Sequence, residues 1–517
     1  MRCNVLASTL LASGLLASAP ALYAQSLGTI EFPTSGTTEA QPHFLRGVLY
    51  MHSFEYDAAA SAFREAQRID PDFAMAYWGE AMTQTHPIWN EQDADAAGEV
   101  LQRLAPTAEA RRAKAPTERE RAWLDAVEIL YGEGPKARRD TLYSAALERM
   151  SDRFPDDAEV RAFHALSLLG LSQGVRDVPT YLRAGAIAET VFARNPDHPG
   201  AAHYVIHAYD APAHADRGLA AARAYSKIAP DAAHAQHMTT HIFLALGMWD
   251  DVVSQNIAAA GHDHDRMIAG HYTIWLEYGY LMQGRYDRAR EHLETLRSNA
   301  DSPPNARDVP GLIASRAQYL INSERWDDDV AAWPVELPSG GFHALRAQNH
   351  FALGYAAVRR RDRGMAERHL AALSELRQNV PSADVGTAHT VTILEHELRA
   401  AAMHAAGDSQ NAVALLREAA ASEDALPIEF GPPAIVKPTH ELLGEVLIDL
   451  GRADEAVREF QRALELAPKR APALLGLGRA ATAAGESAIA QRAFSDLAAI
   501  WHQAEPGTPG FAEAMGR

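Results

Sequence analysis

"ELLGEVLIDLGRADEAVREFQRALELAP", residues 441–468, carries a spacing of small and bulky residues that decides the fold. Leu443 and Gly444 are followed by Gly451, Ala456, Phe460, Ala463 and Pro468. Thirty-four residues further on, Leu477, Gly478, Gly485, Ala490 and Phe494 stand at the equivalent places, with Leu497 where the last alanine would be. The same spacing fits the opposite end of the chain. In "FLRGVLYMHSFEYDAAASAFREAQRIDPD", residues 44–72, it is met by Gly47, Tyr50, Ala59, Phe63, Ala66 and Pro71. Small residues let two helices approach closely, Phe and Leu fill the gap between them, and Pro ends the second helix. Abundant alanine and sparse β-branched runs point the same way, to helices throughout.

A helix–turn–helix unit of this period resembles the tetratricopeptide repeat. Further copies of the turn and second helix stand in "FLALGMWDDVVSQNIAAA" (243–260), "YLMQGRYDRAREHLETL" (280–296), "FALGYAAVRRRDRGMAERHLAAL" (351–373) and "AAMHAAGDSQNAVALLREAAA" (401–421). "YLINSERWDDDVAAW" (319–333) is a poorer copy. The resemblance implies an all-α solenoid of about ten helix pairs, each burying its apolar face on its neighbours, wound into a superhelix with a concave groove. The expected divisions are N-terminal repeats over 25–86, an irregular helical region over 87–200 and histidine-rich repeats over 201–300. Degenerate repeats follow over 301–430 and C-terminal repeats over 437–504. The wider resemblance is to exported bacterial tetratricopeptide proteins, which supplies a fold and little chemistry.

The chain opens with "MRCNVLASTLLASGLLASAPALYAQS", one Arg followed by a short Leu- and Ala-rich run and small residues. This reads as a secretory signal peptide over residues 1–24, and the mature chain is expected in the periplasm or outside the cell. No later stretch is long and apolar enough to cross a membrane. The single cysteine, Cys3, lies in the leader, so the mature chain has neither disulfide nor thiolate ligand. A net charge of −19 disfavours nucleic acid, which is held by basic surface.

The candidate chemistry lies in "HYVIHAYDAPAHADRGLAAARAYSKIAPDAAHAQHMTTHIFLALGMWDD", residues 203–251. Spacings of three and four residues put His234, His237 and His241 on one helical face, and His203 and His207 are also four apart. The resemblance adds a register. With the turn glycine as position 15, positions 2, 5, 9, 12 and 13 of the first helix face the groove. Gly247 as the turn glycine puts His234, His237 and His241 at positions 2, 5 and 9. One unit earlier His203 and His207 fall at 5 and 9 with Asp210 at 12, and one unit later His271 falls at 2. His214 lands in a turn, and His52 and His86 take position 13 of the first two units. Trp78 and Met82 also take groove positions and would offer an apolar contact surface.

Two imidazoles at i and i+4 on one helix hold a transition metal when neighbouring helices add a third and fourth ligand. His203, His207, His234, His237 and His241 are therefore the candidate metal ligands, for Zn, Cu, Ni or Fe. Asp210 is a candidate ligand or an orienter of an imidazole from behind. Trp78, Met82, His86, Asp210 and His271 are candidate contacts for a peptide, a protein or a small molecule in the groove. A metal-free set of histidines could also serve as general base or anion site. "GHDHD", with His262 and His264, reads as a polar turn between repeats, and His396 and His440 as packed or hydrated residues. No phosphate loop, dinucleotide fingerprint, GxSxG or HExxH is present. Two functions fit. One is an exported repeat protein whose His-rich groove holds a ligand, partner or metal ion. The other is a metal-dependent hydrolase or oxidoreductase, or a metal carrier, built on the same histidines.

Overall fold

The computed structural model describes residues 26–172, 176–262, 271–300 and 308–516, apart from positions 336, 338, 339, 383, 428 and 429. The expected leader, His264 and the side chain of His262 lie outside this description. Among the described residues 25 α-helices follow one another, and all consecutive pairs except Ala94–Leu104 and Ala108–Lys114 pack closely together. The only strands there are Thr85–His86 and Glu91–Gln92, which pair as a two-residue antiparallel ribbon. No described helix is long and apolar enough to cross a membrane.

The small-residue template has a direct steric cause. Phe63, from the helix Tyr56–Ile69, inserts between Gly47 and Gly79 of two successive first helices. A Cβ at either glycine would sit 2.6 or 2.3 Å from its ring. Phe460 repeats this between Gly444 and Gly476, where a Cβ would lie 2.7 or 2.1 Å away. Each aromatic residue thus locks its own helix pair to the next, and Ala456 and Ala463 are fully buried beneath it. The turns between paired helices are left-handed, at Gly247, Gly284, Gly451 and Gly485 with φ of 64–78°. Phe54 takes the corresponding place in the first repeat at φ 59°, a conformation that costs an L residue roughly 1–2 kcal/mol.

Long-range contacts tie the ends of the chain to its middle. Residues 26–40 run back across later repeats, where Thr29 N–H donates to the Asp197 carbonyl at 2.9 Å. Phe32 is buried there between Phe44, Trp78 and Trp123, with ring centroids 5.2, 5.6 and 5.5 Å away. The helix Gln41–His52 then packs on Pro199–Tyr209, far along the chain. The C-terminal repeats return in the same way. Trp249 Nε1–H donates to the Lys469 carbonyl at 2.9 Å, and Trp501 Nε1–H to that of Met282 at 3.1 Å. The buried Arg470 donates to Glu441, Tyr278 and Asn322 at 2.7, 3.0 and 2.7 Å. Burying the large apolar side chains of these contacts removes each from water at a gain of roughly 1.5–3 kcal/mol. The expected all-α solenoid of paired helices is what the structure shows.

Candidate metal centre

The helix Pro199–Tyr209 starts with proline in its first turn and is capped by His198, whose Nδ1 accepts the Ala201 N–H at 3.2 Å. It is buried along its whole length, as is most of Ala233–Ala245 beside it. Two adjacent buried helices with histidines on their facing sides bring imidazoles together in a largely buried space.

The first group is His203, His207 and His234, whose ligand nitrogens lie within 4.8 Å of one another. His203 Nδ1–H donates to the His52 carbonyl at 2.7 Å. A neutral imidazole has one N–H and one lone pair, so Nε2 of His203 carries the lone pair. Nε2 of His234 lies 3.2 Å from it. Nε2 of His207 is buried without a hydrogen-bond partner among the described residues.

The second group is His237, His241 and His271, gathered within the same 4.8 Å. Asn256 Nδ2–H donates to the Val252 carbonyl at 3.0 Å, which turns its Oδ1 toward His237. His237 Nδ1–H donates to that oxygen at 2.8 Å, and His241 Nδ1–H donates to Asp210 at 2.5 Å. Their Nε2 atoms face each other at 3.1 Å. With both rings neutral, each of these atoms carries a lone pair, and two lone pairs at that distance repel unless a cation, a proton or a metal ion, lies between them. Two nitrogens about 2.0–2.1 Å from one tetrahedral ion stand about 3.3 Å apart. Both groups meet that spacing, and their donor chemistry fits an imidazole-preferring ion.

Burial favours the neutral form of five of these rings, His203, His207, His234, His237 and His271. Desolvation, and then the neighbouring imidazoles, push His203, His207, His234 and His237 well below the usual histidine range. His271 is pushed down to about 3 by desolvation of its ring and by His241, although the residue as a whole is exposed at its helix start. Aromatic rings from distant repeats close the space. Phe54 lies 4.3, 5.8 and 5.4 Å from His203, His207 and His234. Trp275 lies 4.9, 4.4 and 5.0 Å from His237, His241 and His271. Phe430 and Trp89, both partly open to solvent, stand against His241 and His234.

A third cluster, His52, Glu159 and His198, is buried nearby. Its protons are already placed. The Ala201 N–H occupies Nδ1 of His198, so the proton of that ring is on Nε2, 3.2 Å from Glu159. His52 Nε2–H donates to Glu159 at 2.9 Å, and the Tyr204 hydroxyl donates to His52 Nδ1 at 2.8 Å. Burial would raise the Glu159 carboxyl, but His52 and His198 outweigh it and hold it below the usual range. This trio offers no converging lone pairs. It fixes His52, whose carbonyl holds His203.

The five expected metal ligands thus divide between two groups, and His271, expected as a ligand contact, completes the second. Asp210 stands behind His241, not within the ring of nitrogens. His86 stacks on Tyr56 at 4.1 Å and contacts Glu91, outside both groups. Trp78 and Met82 are corrected. Both are buried: Trp78 packs in the aromatic core with Phe32, Trp123 and Phe163, and Met82 lies beside the Tyr143 hydroxyl. Sequence reasoning missed Asn256, Glu159 and His198. For His198 a signal existed: a histidine immediately before Pro199 stands at a helix N-cap.

Comparison with known proteins agrees with this architecture. Residues 40–73 and 438–470 match the family model described as the tetratricopeptide repeat. One tetratricopeptide repeat is thus matched near each end of the chain. No curated protein matches the sequence. Among solved structures, a human IFIT1 dimer with PPP-AAAA is 13% identical over 83% of this chain and 95% of that one, with a TM-score of 0.37. Yeast Tom70 is 11% identical over 92% and 94%, with a TM-score of 0.28. The APC/C hetero-tetramer Cut9–Hcn1 is 12% identical over 93% and 96%, with a TM-score of 0.29. Overlaps this loose carry no statement about ligand or partner.

Proposed function

We propose that this protein is an exported repeat protein that binds transition-metal ions through the two histidine groups of its interior. One observation carries the reading: Nε2 of His237 and Nε2 of His241 face each other at 3.1 Å, and each ring is held from its far side, by Asn256 and by Asp210. Neutral imidazoles of this kind suit Zn, Cu, Ni or Fe. The repeats serve as the scaffold that holds three helices in register around the ions. The two partly open rings, Trp89 and Phe430, mark where a small molecule or a partner segment would reach them. The leader-like start at residues 1–24 supports a place in the envelope, where such ions arrive from outside.

Elemental analysis of protein produced without a histidine tag, in cultures supplied with each metal, tests the reading. At least one ion per chain is expected, with its content lost or sharply reduced in His237→Ala and retained in His440→Ala. A wild type that holds no metal and gains no thermal stability from any of the four salts would end it. Mass spectrometry of the envelope fraction checks export: the chain should start near Leu22 or Gln25, and an intact Met1 in the cytoplasm would oppose it.

A further inference from the structure

We propose that the two histidine groups are the halves of one centre. It holds a pair of copper ions that share a single hydroxide, formed from water with loss of one proton to solvent. The inference rests on the metal-binding reading above and deepens it.

The geometry makes the groups neighbours. Rings within the first group stand 4.8 and 5.0 Å apart, and rings within the second 4.5–5.7 Å. His207 and His241, one from each group, are 6.0 Å apart, barely more. The helix Ala233–Ala245 feeds both groups: His234 turns to the first, and His237 and His241 to the second. Residues three apart on a helix have Cβ atoms about 5–6 Å from each other, so ions held by His234 and His237 cannot be remote. This is compatible with the roughly 3.5–4 Å separation of two-metal sites. Three imidazoles per ion leave each with an open position in a tetrahedral set, which the shared hydroxide would take.

The ligand set selects the metal. Neither group contains a carboxylate, which disfavours Mg, Ca and Mn. Asp210, hydrogen-bonded behind His241, is the carboxylate in direct contact with the six rings. Two divalent ions would bring four positive charges among neutral imidazoles and aromatic rings, where uncompensated charge is costly. Two cuprous ions bring two. A site that accepts the lower charge favours the metal able to carry it, which among imidazole-preferring ions is copper. An outside one-electron acceptor such as ferricyanide, two equivalents per pair, then adds one charge to each ion, and the shared hydroxide, left when one water gives a proton to solvent, offsets one of the two.

The test loads metal-free protein with Cu(I) in the absence of air and counts copper per chain after desalting. Ferricyanide then takes one electron from each copper, and electron paramagnetic resonance counts the unpaired spins. Two coppers per chain are expected, with a spin count far below two, because a bridging hydroxide couples the pair. His271→Ala should leave one copper per chain with a full one-spin signal, and His207→Gln should do the same from the other side. Circular dichroism identifies a variant that fails to fold, and the wild-type spin count decides the matter without either. One copper per chain, two uncoupled spins, or zinc bound in place of copper would overturn the paired copper centre and leave the metal-binding reading standing. Protein that takes up none of these metals would overturn both.

Discussion

Nδ1–H of His203 donates to the backbone carbonyl of His52, 151 residues earlier, at 2.7 Å. One turn of the solenoid thereby sets the tautomer of an imidazole in another. The contact depends on Gly200, since a Cβ there would stand 2.2 Å from Nδ1 of His52. Gly200→Ala should push the first repeat off the helix Pro199–Tyr209. Overpacking of this kind costs about 1–3 kcal/mol. A lower melting temperature and weaker metal binding should appear together. Unchanged metal affinity would detach His52 from the site.

Asn256 holds His237 from behind without facing the ions. Loss of such a partner costs about 10–100-fold in metal affinity. Asn256→Leu should show that loss in a chelator competition, and Asn256→Asp, which keeps an acceptor, should recover most of it. Equal affinities for the two variants would show that His237 does not need the contact.

Register in the C-terminal repeats can be probed with one methyl group. A Cβ at Gly476 would stand 2.1 Å from the Phe460 ring, and Ala456 is fully buried. Gly476→Ala and Ala456→Leu should each cost about 1–3 kcal/mol in urea unfolding. Ala453→Leu, half-buried at the turn, should stay within about 0.5 kcal/mol. Three indistinguishable midpoints would contradict the packing.

His292 gives the fold an acid sensitivity separate from metal binding. It is buried beside the Thr273 carbonyl, which accepts its Nε2–H at 3.0 Å, and desolvation pushes it down to about 4. The unfolded chain takes up its proton near pH 6.5, the folded chain only near pH 4. Between these values the unfolded state binds more protons, so stability falls as pH falls through this window and levels off below it. The loss from this residue is at most about 3 kcal/mol. Metal-free His292→Gln should lose less stability than the wild type between pH 7 and pH 4.5, read from urea midpoints. Parallel losses would assign the acid sensitivity elsewhere.

The sequence by itself determined the helix pairs and their register. Gly47, Phe63 and Ala66, or Gly444, Phe460 and Ala463, are legible because a repeat packs on residues about 34 positions away, and local spacing encodes that contact. It also determined that His234, His237 and His241 share a face, since helical periodicity fixes which residues align. Only the tertiary structure decided what that face meets. The return of residues 26–40 and of the helix Gln41–His52 buries Trp78 and brings His52 to His203. The split of the histidines into two groups, and the part of Asn256, follow from how neighbouring helices rotate against one another, whereas the meeting of His52 with Glu159 and His203, 107 and 151 residues away, follows from how far the superhelix curls. That curl sums small rotations over many repeats, and no short stretch of sequence records the sum.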